Sequence, residues 1–209
     1  MDLIEKDENV RVKLFSDAKI ADLIAVGDLS PISQIILNKL RRLGIKIRAE
    51  FRGLEHGLQW IRDEIADLLV SCIPESKTIL NSSNFPSKLT NLGTFKMRMV
   101  WASSEKEISS GSTFVLPRSR STLRNYAEKC IKRIIKDFNI IETWSYDAAI
   151  DLITNRKAIF ALLPSSIAIN YGFESIDAFS ANVSYLVRNE YLSTRVGKRL
   201  LRIIKNMEL

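Results

Sequence analysis

The chain has 209 residues, with 31 Lys plus Arg against 24 Asp plus Glu, a formal net charge of +7. Hydrophobic residues make up 46% and charged residues 26%, values of a folded chain of one domain or two small lobes rather than a disordered one. No apolar run approaches the ~20 residues of a membrane span, and the acidic start Met1-Asp2-Leu3-Ile4-Glu5 lacks the basic-then-apolar order of a signal peptide, so a cytoplasmic location is expected.

In chain order, residues 9–15 alternate apolar and charged side chains, as a half-buried strand does, within an N-terminal arm over 1–17. Residues 20–27 read as a buried strand. Ser30-Pro31 then opens a helix, the serine as cap and the proline needing no donor at the first position. Its apolar face is read as Ile32, Ile35, Ile36, Leu40 and Leu43, and Gly44 ends it. A second strand over 45–51 leads through Arg52-Gly53 into a helix with Leu54, Leu58, Ile61 and Ile65 inward. A third strand covers 67–71. Strand, helix, strand, helix, strand with apolar strands predicts a parallel sheet with crossover helices.

From Pro74 to Gly93 the pattern lapses into Ser, Asn, Pro and Lys, as in an exposed loop. Strands follow over 97–102 and 112–116. A long helix opens at Ser119-Arg120-Ser121-Thr122 and runs to about Phe138. Next come a strand over 140–144, a helix over 147–155, a strand over 158–163, and a short helix from Pro164-Ser165-Ser166 that Gly172 ends. A strand over 183–188 and a basic amphipathic helix from Thr194 to about Met207 close the chain.

Three stretches carry a resemblance. They are residues 24–71 with the Ser-Pro loop and Ala66-Asp67-Leu68-Leu69-Val70-Ser71, residues 114–131 with Pro117-Arg118 and Arg124, and residues 149–164 ending in Leu163-Pro164. Together they resemble the effector domain of LysR-type and YhfZ-like transcriptional regulators. The resemblance implies an α/β, two-lobed, periplasmic-binding-protein-like type II fold with a ligand cleft between lobes. Lobe I then takes residues 18–74 and 178–209, and lobe II takes 75–177. It departs from the family in two respects: Asn155-Arg156-Lys157 stands where the family has a glycine pair, and a start at Met1 leaves no room for a DNA-binding winged helix.

In such a fold ligands meet loops at the carboxyl ends of strands, where helix N-termini favour anions. The candidate ligand-binding residues are Ser30, Ser33, Arg52, Ser71, Arg118, Ser119, Ser121, Thr122, Arg124 and Ser165. Two readings stay open for them. Helix capping alone accounts for Ser30, Ser121 and Ser165, and solvation accounts for surface arginines. Three arginines beside a Ser/Thr helix start nevertheless form the best anion site in the sequence.

No catalytic constellation emerges. His56 is the single histidine, Cys72 and Cys130 are isolated, and no phosphate-cradling glycine loop is present. Asp147 and Asp151 share a solvated helix face. Trp60, Trp101 and Trp144 read as packing residues, although Trp101 and Trp144 are also candidates to wall a cleft. The basic surplus reads as spread over helix faces and loops. The expectation is a small-molecule sensor that takes an organic acid, amino acid or phosphate, with no cofactor and no metal. It is expected to form a homodimer and to reach DNA only through another domain or partner. An enzyme on the same scaffold is the alternative.

Overall fold

The computed structural model describes residues 21–28, 30–75, 89–103, 107–119 and 121–207. The strand expected over 9–15 and Arg120 lie outside them. The elements alternate as expected: β1 (Leu23–Gly27), α1 (Pro31–Arg42), β2 (Ile47–Glu50), α2 (Leu54–Arg62), β3 (Leu68–Pro74), β4 (Leu89–Ser103), β5 (Thr113–Pro117) and α3 (Thr122–Ile134). They continue with β6 (Asn139–Thr143), α4 (Tyr146–Thr154), β7 (Phe160–Pro164), α5 (Ser165–Asn170), β8 (Glu174–Arg188), α6 (Asn189–Leu192) and α7 (Arg195–Lys205).

The chain divides into two compact units. Unit 1 takes the described residues through Ser71, residues 89 to Gly93, and the chain from Ser184 onward; unit 2 takes Cys72 to Glu75 and Thr94–Val183. In unit 1 the strands run in the order β2-β1-β3-β8, with β1 parallel to both β2 and β3. Leu23 to Val26 of β1 and Leu68 to Val70 of β3 are buried on both sides of the sheet, which explains their continuous apolar runs. In unit 2 the order is β4-β7-β5-β6. There β5 is parallel to β6 and β7, and β4 is antiparallel to β7. Its core packs Val100, Val115, Ile150, Ile153, Ala161 and Leu163 together. Trp101 is buried edge-on to Phe114, which stacks on Phe160.

Three expectations change. Helix α1 buries Ser33, Ile36, Leu37 and Leu40, and leaves Ile35 and Leu43 about half exposed. Spacing of three and four from Ser33 defines the inward stripe, Ile35 falls off it, and Leu43 lies past the last helical residue. Helix α3 stops at Ile134 because the next segment is drawn into strand pairing. The Gly111 amide donates to Asp137 O at 2.9 Å and the Asn139 amide to Ser112 O at 3.0 Å. Strands β4 and β8 are each 15 residues long, well beyond the expected 97–102 and 183–188. Their added halves are largely solvent-facing, with Asn91, Gly93, Glu174 and Asp177 breaking the apolar signal.

Candidate functional site

In unit 1 the parallel strands bring their carboxyl ends to one edge. Gly27 closes β1 at φ +111°, and a β-carbon there would lie 2.0 Å from Val70 O, so glycine alone fits. The Asp28 amide donates to that same carbonyl at 2.9 Å, and the Gly53 amide donates to Gly27 O at 2.9 Å. The loops after β1 and β2 are thereby held side by side.

Ser30 caps α1: its Oγ accepts the Ser33 amide at 3.0 Å. Ser30 and Ser33 hydroxyls lie 2.7 Å apart, and both meet the Tyr185 hydroxyl of β8, at 3.3 Å and 3.1 Å. All three residues are buried, and none carries a formal charge. Each hydroxyl has one proton and two acceptor lone pairs, so the triangle can reverse its donor direction to suit a ligand. Pro31 has no N–H and Ser33's is taken by the cap, which leaves Ile32 as the first-turn amide without a helical acceptor. Ser71 lies one residue beyond the Gly27–Val70 pair in β3. It is fully buried, and its Oγ has no hydrogen-bond partner among the described residues. Asp28 adds a buried carboxyl to this edge.

Arg52 stands at the same edge but faces outward, paired to Glu50 at 3.0 Å. Sequence reasoning missed Tyr185 and Asp28. A buried tyrosine inside an apolar strand carries no local mark of its partners, and the bond to Ser30 spans 155 residues.

In unit 2 the carboxyl ends of β5, β6 and β7 carry the other candidates. Arg118 and Ser119 are exposed, and the Arg118 guanidinium lies over the face of Trp144, itself exposed. Register pairs Pro117 with Thr143, which puts these two residues next to each other just past the strand ends. Ser121 holds the N-cap position of α3 without a side-chain cap bond, and Thr122 follows half-buried. Ser165 is the first residue of α5, where Pro164, not the serine, occupies the cap position. Arg124 turns inward: its guanidinium donates to Glu142 at 3.2 Å, Pro117 O at 3.3 Å and Glu128 at 3.4 Å. Lys132 chiefly, with Arg124, holds the Glu128 carboxyl below its usual range.

Elsewhere, His56 packs on the Trp60 ring at 5.1 Å, Cys72 is buried, and Asp147 and Asp151 are exposed. Among the described residues no group of three or more His, Cys, Asp or Glu is placed to hold a metal. No helix among them is long and apolar enough to cross a membrane.

No protein-family model and no curated protein matches the sequence. Solved structures do match. The full-length structure of HypT from Salmonella typhimurium, a hypochlorite-specific LysR-type transcriptional regulator, is similar with a TM-score of 0.68 and 13% identity, over 99% of this chain and 75% of that one. Vibrio fischeri DarR in complex with DNA, another LysR-type regulator, gives 0.61 and 16%, over 99% and 76%. The bromide-bound regulatory domain of HypT gives 0.62 and 12%, over 88% and 94%. The chain therefore has the two-lobed, periplasmic-binding-protein-like fold of LysR-type effector domains.

Proposed function

We propose that this chain is a cytoplasmic sensor module of the transcriptional-regulator type, which binds a small polar, anionic molecule at the carboxyl edge of β2-β1-β3. The observation that carries this reading is the buried hydroxyl triangle of Ser30, Ser33 and Tyr185 at the N-terminus of a 12-residue helix. Neutral donors there meet a carboxylate or phosphate oxygen without a charge to desolvate, and the helix dipole adds to them. Ser71 supplies a further buried hydroxyl. Arg118, Ser119, Ser121 and Thr122 form the corresponding edge of unit 2, and Ser165 follows the neighbouring strand. These we assign to ligand as well. Arg124 we assign instead to holding the Pro117 carbonyl, and Arg52 to a peripheral contact. Sequence-specific DNA recognition belongs to another domain or partner.

A thermal-shift panel of organic acids, amino acids and phosphates tests this. At a hundredfold excess over Kd, a ligand specific for the folded state adds about 2.7 kcal/mol and raises Tm by several degrees. Ser33→Ala should abolish that shift. Silence across the panel, or chemical turnover of a hit, would sink the reading. We also propose a homodimer. Light scattering of the purified chain should give twice the 23.8 kDa protomer mass, and a monomer at micromolar concentration removes that part.

A further inference from the structure

The basic surplus of the chain is not spread evenly. Helix α1 (PISQIILNKLRR) and helix α7 (RVGKRLLRIIK) contain no carboxylate at all. The end of α1 carries Lys39, Arg41 and Arg42. Helix α7 carries Arg195, Lys198, Arg199, Arg202 and Lys205. All but the half-buried Arg199 are exposed. These eight cations exceed the whole chain's net charge of +7, so the remainder of the protein is slightly acidic. None of the eight makes an ion pair among the described residues, whereas Arg48, Arg52, Lys96, Arg98, Lys132 and Arg188 all do. The two helices pack together within unit 1, and Arg199 donates to Leu43 O at 3.4 Å, which seats the end of α1 against α7.

Helix stability does not account for the set. Cations in a last turn complement the helix dipole, which covers those of α1 together with Arg202 and Lys205. Arg195 and Lys198 lie in the first four residues of α7, where positive charge opposes the dipole and the favoured acidic residues are absent. Arg195, Lys198, Arg202 and Lys205 are spaced three, four and three apart, a single stripe along the helix. That stripe is about 15 Å long, a length over which one strand of a B-form duplex presents about four phosphates.

We propose that this face of unit 1 grips the phosphate backbone of double-stranded DNA, without reading sequence. Two observations favour the duplex over other polyanions. The apolar side of α7, with Gly197, Leu200 and Ile204, is buried, so the helix has no face to insert into a lipid surface. Neither helix contains an aromatic residue on which the bases of a single strand would stack. The contact is assigned to the backbone because a stripe of cations meets phosphates by charge alone, without hydrogen bonds to base edges. It adds affinity to whatever element reads sequence.

Fluorescence anisotropy with two unrelated duplexes of about 25 base pairs tests this on the whole chain. Both should bind with similar affinity at about 50 mM salt, and the affinity should fall steeply with salt. Lys198→Glu with Arg202→Glu should weaken binding at least tenfold and make the log–log salt slope shallower by about two. The matched charge change in unit 2, Lys129→Glu with Lys136→Glu, should stay within twofold of the parent. Both variants should keep the parent's unfolding temperature. Absence of duplex binding at low salt, equal loss in the unit 2 variant, or tighter binding to a single strand, polyglutamate or phosphatidylserine vesicles would overturn the proposal. The ligand-induced thermal shift relies on Ser33 and not on α7, so this proposal and the sensor reading fail separately.

Discussion

Tyr185 and Asp67 show how single residues fix unit 1. Tyr185 is a fully buried side chain whose phenol ends on two serines at a helix start. Its ring packs as core while its hydroxyl defines a polar point in that core. Asp67 lies just before β3 and accepts the Ile24 amide at 2.9 Å, which locks β1 and β3 in register. Burial raises the Asp67 carboxyl above its usual value, against the lowering effects of the Ile24 bond and Arg188. Its folded pKa therefore lies above its unfolded one, so the folded state binds the proton more tightly. The stabilisation is full below the unfolded value and is lost as pH rises through the raised one. Asp67→Asn keeps an acceptor for Ile24 without the charge. Its Tm relative to the parent should rise as pH increases from about 4, the unfolded carboxyl value, through the raised folded one. A difference that shrinks over that range would mean the charge itself is stabilising.

Some of this was legible in sequence and some was not. Ser30 was readable because Ser-Pro before an apolar helix has a local meaning. The hydroxyl that meets it was not, because the contact is made by chain folding across 155 residues. Arg124 was readable as an arginine near a helix start. The Glu142 that occupies it comes from a separate strand, and no spacing rule ties the two together.

Among the elements, α7 is the most exacting. The Thr194 hydroxyl accepts the Gly197 amide at 3.0 Å and donates to Tyr191 O at 2.7 Å, joining the end of α6 to the start of α7. A β-carbon on Gly197 would lie 2.0 Å from that same carbonyl. Gly197→Ala must therefore push α7 away from α6, although alanine is the better helix former. We expect a loss of about 2 kcal/mol or more, read as a Tm several degrees lower. A Tm equal to the parent's would show that the two helices are not held together. The order of elements followed from hydrophobic periodicity, since buried parallel strands and one-faced helices both leave clear patterns. Ends and lengths did not. The outer halves of β4 and β8 carry little apolar content, and the sheet neighbours of these strands are invisible from within the segment. Helix α3 is the converse: its apolar pattern continues through Ile135 and Phe138, and pairing ends it early.

For the whole molecule, the net charge of +7 means less as a total than as a distribution. Two helices with no carboxylate hold more than all of it, and the rest of the chain is close to balanced. The two-lobed fold was legible because alternating α/β patterns recur after Gly111. The site was legible only as loops at strand ends, because side chains from distant segments complete it.

The division of the chain has a further consequence for how the protein is made. Unit 1 is assembled from separated stretches: its central helix α1 rests on α7, and the Arg199–Leu43 bond spans 156 residues. Most of unit 2, from Thr94 to Val183, is continuous. During synthesis the ribosome emits β1, α1 and β3 long before their last partner. These apolar strands must wait with Leu200 and Ile204 of α7 not yet made. Unit 2 can close while unit 1 is still open. Nascent unit 1 is thus the part of the molecule that depends most on chaperone protection, because its strands emerge well before the helix that covers them.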